Sequence, residues 1–397
     1  MQTERYNFDQ YRDRIFESRF ARYASVQDWV RKTVENRGVL SASVIGYSVE
    51  NREIYRLSVG TGRIPVLLWS QMHGDESTAT LAIFDVLNFL TSDDENNAFR
   101  SRLLESCTFH FIPMLNPDGA ERCQRRNAQG IDINRDFLAL QTPEARLLKR
   151  QQELLRPEFA FNLHDQDSLW SVVGSRQPAL ISLLAPPAEP SLNLSSSMRK
   201  AIQIIAPLYS FLEEEIPGKI GRWKDEYEPR AAGETFQKAG VATILIEFGG
   251  YNDEASKQHV RKLNFDALLY VFGQIAFGEM HDESAAIMKY DAIPLNTKEI
   301  FHIVIRNCGL RTAAGTISLD IGLNHEPADH SKQRCFLIAD MGDLSTFSAY
   351  YEIDGLAAEL DKEKIELDTK ANIKIGAENG NIINFENGIC KEFNFEI

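Results

Sequence analysis

Two histidines, two glutamates and a run of arginine, asparagine and aspartate fall at the ends of apolar segments in this 397-residue chain. His73 and Glu76 form an H-x-x-E pair inside LLWSQMHGDESTATLAIF, where a polar turn interrupts two apolar runs. His164 closes the segment EFAFNLH, and Glu247 lies within ILIEFGG. Between them come NPDG, Asn116 to Gly119, directly after FIPML, and RRNAQGIDINRDF, Arg125 to Phe137. Two imidazoles and a carboxylate with no fourth protein ligand make up a catalytic zinc site with one position left for water. Glu247 is the candidate base for that water. A carboxylate in an apolar strand needs a cationic partner, a metal-bound water or a raised pKa. Arg125 and Arg135 are candidate partners for developing or fixed negative charge.

Each cluster has a plainer reading when taken alone. H-x-x-E arises by chance, and Asn-Pro-Asp-Gly is first a good turn sequence. Asn134-Arg135-Asp136 could be a surface ion cluster. What joins them is position: every one follows or ends a predicted strand. Three further histidines are set aside as solvated turns, namely His281, His325 and His330.

The elements that would position these groups read as follows. Phe8 to Glu35 carries helical spacing, and LSASVIGYSVE with EIYRLSVGTG reads as a hairpin. RIPVLLWSQM is a continuous apolar strand of the kind covered on both faces. STATLAIFDVLNFL is a helix with Ser77 as its cap. CTFHFIPML, EFAFNLH and GVATILIEFGG are further strands, while SSSMRKAIQIIAPLYSFLEEE and KQHVRKLNFDALLYVFGQIAF are helices. The alternation predicts an α/β domain over residues 1–280, with a mixed, largely parallel sheet flanked by helices. Ligands gather at the carboxyl ends of such strands. Residues 281–397 read as a smaller β-rich domain, with Glu-Asn-Gly turns at Glu378–Gly380 and Glu386–Gly388.

Lys and Arg number 43 against 57 Asp and Glu, a formal charge of −14, which argues against a nucleic-acid or anionic-membrane partner. The charged start MQTERYNFDQYRDRIFESRF offers no signal-peptide core, and no apolar run is long enough to span a bilayer. Five scattered cysteines without a CxxC pair suggest reduced thiols and a cytoplasmic protein.

His73-x-x-Glu76, Asn116-Pro-Asp-Gly119, Arg125-x-Asn127, Asp132-x-Asn134-Arg135, His164 and Glu247 together resemble the zinc carboxypeptidase family, the carboxypeptidase A-like metallopeptidases, over about residues 40–275. The resemblance implies that His73, Glu76 and His164 hold one zinc ion. Asp132 would orient His73 from behind, and Arg125 would polarise the scissile carbonyl. Asn134 and Arg135 would grip the free carboxylate of the substrate, with Tyr227 as the mobile site tyrosine. Glu247 would activate a zinc-bound water and protonate the leaving amine. The implied reaction is hydrolysis of a C-terminal peptide bond.

Two departures stand out: Asp165 after His164, and Asp136 after Arg135, replace residues more usual in digestive members. The aspartoacylase and succinylglutamate desuccinylase group resembles the same scaffold, so N-acyl amino acids are an alternative substrate. A murein-peptide amidase and a zinc-binding relative without activity are the other readings.

Overall fold

The computed structural model describes residues 5–16, 20–34, 38–224, 226–249, 254–278, 282–325, 334–355, 359–361, 365–376 and 382–390. The chain forms two compact units, one of residues 1–166 and 179–296, the other of residues 167–178 and 297–397.

The first unit is built on eight strands. They are β1 (Leu40–Tyr47), β2 (Glu53–Val59), β3 (Ile64–Trp69), β4 (Cys107–Ile112) and β5 (Phe159–Asp165). After β6 (Trp170–Val172) of the other unit come β7 (Ile181–Leu184), β8 (Ile220–Arg222) and β9 (Ala242–Phe248). Their spatial order is β1-β2-β4-β3-β5-β9-β7-β8. The four middle strands β4, β3, β5 and β9 run parallel. β1 and β2 are antiparallel at one edge, and β7 is antiparallel to β9.

The continuous apolar strands are explained by cores on both faces. Along β3, Val66 and Leu68 enter one core, Leu67 and Trp69 the other. The larger core packs under α1 (Phe8–Tyr11), α2 (Tyr23–Val34), α3 (Thr78–Thr91), α4 (Asn97–Ser106), and later α7, α9 and α10. α5 (Pro117–Arg122) and α6 (Pro143–Leu155) follow β4. α7 (Ser196–Glu213), α8 (Ala232–Lys238), α9 (Glu254–Phe277) and α10 (Glu283–Asp291) complete the unit, with α8 and α6 on the smaller core. Among the described residues no helix is long and apolar enough to cross a membrane.

The predicted helix from Phe8 to Glu35 is broken. Arg261 donates to the carbonyls of Asp13 and Phe16, and Asp85 accepts from the Asp13 amide. The backbone bonds that would continue the helix are thus spent on α3 and α9.

In the second unit, β10 (Asn296–Lys298) pairs with β6. A further sheet contains β11 (Ile300–Thr312), β12 (Gly315–His325), β13 (Phe336–Gly342), β14 (Ser348–Asp354) and β15 (Glu359–Asp361), with β11 central. β16 (Ile373–Gly376), β17 (Ile382–Glu386) and β18 (Ile389–Cys390) form an antiparallel meander. The Glu386–Gly388 turn has Asn387 and Gly388 at positive φ, as a tight hairpin requires. Glu378–Gly380, His281 and His330 lie outside the described residues. His325 ends β12 and stacks on His302 at 3.8 Å, so it is not a loop residue.

The unit boundary falls after residue 296, not 280. Tyr290 of α10 lies in the first unit's core, and its hydroxyl accepts from the Ala185 amide at 3.1 Å. Residues 167–178 join the second unit, where Tyr350 donates to the Ser168 carbonyl and Lys298 pairs with Asp167.

Candidate active site

The polar turn after β3 is held from several directions. Gln71 adopts a left-handed φ of 46°. Its amide donates to the carbonyls of Ala21 and Gly74, and its oxygen accepts from Thr80. A Cβ on Gly74 would lie 2.0 Å from the Gly119 carbonyl carbon, so only glycine lets this turn pack on the NPDG turn.

That second turn proves to be scaffolding. Asn116 caps α5 by accepting from the Gly119 amide, and its Nδ2 reaches the carbonyls of Met72 and Arg125. Asp118, fully buried, takes the Ser48 hydroxyl, the Glu50 amide and Arg52. Asn127 organises the next loop through the amides of Gln129 and Ile131. The result sets Arg125 beside the His73 turn.

His73, Glu76 and His164 are all buried, and their ligand atoms lie within 4.8 Å of one another. Glu76 bridges the imidazoles, with Oε1 2.7 Å from His73 Nδ1 and Oε2 2.7 Å from His164 Nδ1. The two Nδ1 atoms are 3.2 Å apart. Two imidazole nitrogens and a carboxylate facing one point fit a zinc ion by donor type and number. Behind His73, Nε2 meets Asp132 Oδ1 at 3.1 Å, which fixes the ring's orientation.

Arg125 spans the group. Its Nη1 is 3.2 Å from Glu76, and its Nε and Nη2 face Asp132 at 3.2 and 3.1 Å. Its side chain remains 44% exposed. Glu247 on β9 stands opposite His164 of β5 in register, which places both at the sheet's carboxyl edge and on one face. Burial pushes the Glu247 carboxyl well above its usual range, and the Glu76 charge adds to this. Asp132 goes the other way: burial opposes its charge, but His73 and Arg125 hold it well below the carboxylate range.

Asn134 and Arg135 occupy a 3₁₀ turn at Ile133–Arg135. Asn134 Oδ1 accepts from the Ala232 amide at 2.9 Å, holding the start of α8. Arg135 is 39% exposed and pairs with Glu228 at 3.4 Å. Tyr227 is half-buried between β8 and α8. Asp136 accepts from the amides of Gln141 and Thr142 and from the Thr142 hydroxyl, so it builds the entry to α6. Ser77 sits at the cap position of α3 without a capping side-chain bond. Asp165 supplies it by accepting from the Thr78 amide and hydroxyl. An acid one residue beyond a strand-end histidine was the available signal for this role.

Glu234 in α8 is 8% exposed, and burial raises its pKa to about 7. A folded pKa above the unfolded value near 4.5 means that stability falls as pH rises from about 4.5 to about 7. Glu234→Gln is therefore expected to be more stable than the parent at pH 8, by on the order of 2 kcal/mol. Below pH 4.5 the gap should close. Urea unfolding at pH 4 and pH 8 checks this, and an equal difference at both would refute it.

The family model for zinc carboxypeptidase matches residues 26–178. A 109-residue stretch is 30% identical to carboxypeptidase M of Mus musculus, covering 23% of this chain and 25% of that one. The matched stretches span about a third or less of the length of the curated relatives. In fold, the chain is similar to a metallo-carboxypeptidase from Burkholderia cenocepacia, with a TM-score of 0.53 and 17% identity over 64% of this chain and 69% of that one. A metallo-carboxypeptidase from Pseudomonas aeruginosa, solved with (2-guanidinoethylmercapto)succinic acid, aligns with a TM-score of 0.52 and 17% identity. That alignment covers 65% of this chain and 70% of the other. Residues 26–178 thus match the zinc carboxypeptidase model in sequence, and the fold is similar to that of the metallo-carboxypeptidases.

Proposed function

We propose that the protein is a zinc metallocarboxypeptidase that removes the last residue of a peptide. The convergence of His73, Glu76 and His164 beside Arg125 and Glu247 carries this reading. When bound, zinc supplies a Lewis acid that polarises the scissile carbonyl and makes water acidic near neutral pH. Glu247 takes the proton of the attacking water and delivers it to the leaving nitrogen. Arg125 faces the oxygen that gains charge as the carbonyl becomes tetrahedral.

The substrate's free carboxylate goes to Arg135, whose planar fork matches it. A bound carboxylate would compete with Glu228 for that guanidinium. Asn134 spends its oxygen on Ala232, which leaves its Nδ2 as the donor to the same carboxylate. The five free thiols support a reducing, cytoplasmic setting.

The test is a peptide with a free C-terminus against its C-terminal amide. Arg135→Ala is expected to lower kcat/KM for the free acid by about 10²-fold, from loss of a charge-assisted contact. Its activity on the amide should stay near the parent's low level. Equal loss on both would remove Arg135 from carboxylate binding.

A further inference from the structure

Glu76 and His164 come from different segments of the chain, one from the turn before α3 and one from the end of β5. The residues just beyond each are joined to each other. Asp165 Oδ2 accepts from the Thr78 amide at 3.0 Å and from the Thr78 hydroxyl at 2.7 Å. The Asp165 amide in turn donates to Glu76 Oε2 at 3.2 Å. Thus Asp165 holds the first turn of α3 with its side chain and the ligand Glu76 with its backbone.

A third element enters from α9. Lys257 is only 2% exposed, and its Nζ lies 3.4 Å from Ser77 Oγ and 5.3 Å from the Phe20 ring centroid. An ammonium is rarely buried without a compensating negative charge. The amine thereby ties α9 to Ser77, one residue before the Thr78 that Asp165 holds.

We propose that Lys257 and Asp165 are positioning residues for the metal centre, locking the α3 turn to the end of β5 so that Glu76 and His164 present their donors at one point. Without the clamp the two ligand segments move independently, and the ion binds a site that it must first assemble. The inference rests on the metal centre proposed above.

The test measures zinc affinity by competition with a chromophoric chelator, on the full chain. Asp165→Ala and Lys257→Met are each expected to weaken zinc binding about tenfold or more, the usual loss when an outer support of a ligand is removed. Lys257→Arg, which keeps the charge, should recover part of the loss. Circular dichroism and the melting temperature of the metal-free proteins are followed in parallel. If Asp165→Ala does not fold, Thr78→Val carries the test, because it removes one bond to Asp165 and keeps the other. Its expected loss is about threefold. Zinc affinities within twofold of the parent in folded variants would overturn the proposal. A parent that binds no zinc, matching His73→Ala, would overturn the metal centre itself and this inference with it.

Discussion

Glu247→Gln is expected to lower kcat by about 10³-fold while leaving zinc stoichiometry unchanged. That corresponds to about 4 kcal/mol of transition-state stabilisation. The amide keeps the size of the side chain at a half-buried position next to His164 but cannot take a proton. KM should change far less than kcat, because the lost interaction belongs to the proton-transfer step. Steady-state kinetics with metal analysis checks both halves. A variant that retains more than a tenth of the parent's kcat would mean that another group takes the proton.

The second large effect concerns stability. Asp85 and Arg261 form a buried ion pair whose side chains are both fully excluded from solvent. Arg261 meets the carboxylate through Nε at 2.7 Å and Nη2 at 2.6 Å, and also donates to two backbone carbonyls near the N-terminus. Arg261→Met strands Asp85 as a buried unpaired charge and leaves those carbonyls without their donor. The expected cost is about 3–5 kcal/mol. Asp85→Leu combined with Arg261→Met should recover only part of this, since the carbonyls still lack a donor and the Asp13 amide now loses its acceptor. Urea unfolding of the single and double variants measures both quantities. Full recovery in the double variant would show that the backbone contacts contribute little.

The same pair shows where the sequence was readable and where it was not. β3, β5 and β9 were legible because residues buried on both faces leave uninterrupted apolar runs such as VLLW and ILIEF. Each run ends in the polar residues that the parallel sheet brings together at its edge. The break between α1 and α2 was not legible. It is imposed by Asp85 and Arg261, 72 and 248 residues away from Asp13, while the local spacing remains helical.

A similar division runs through the site. His73, Glu76, His164, Asp132 and Arg125 meet in space. The spacing of NPDG suggested only a turn, and its main work is to seat Gly74 and carry the loop of Arg125. α8 has just seven residues, and its start is held by Asn134, so periodicity gave no warning of it. Asp165 looked like a substitution within a motif. Its function as the cap of α3 depends on a helix that follows another strand.

The most direct measurement is product analysis by mass spectrometry. The zinc-loaded protein is incubated with a pool of short peptides and N-acyl amino acids, beside Glu247→Gln and a chelated sample. The account predicts peptides shortened by one C-terminal residue, with the shortening absent from both controls. Cleavage confined to N-acyl amino acids would contradict the peptidase assignment while keeping the metal chemistry. Shortening that persists in the chelated sample would contradict the metal centre.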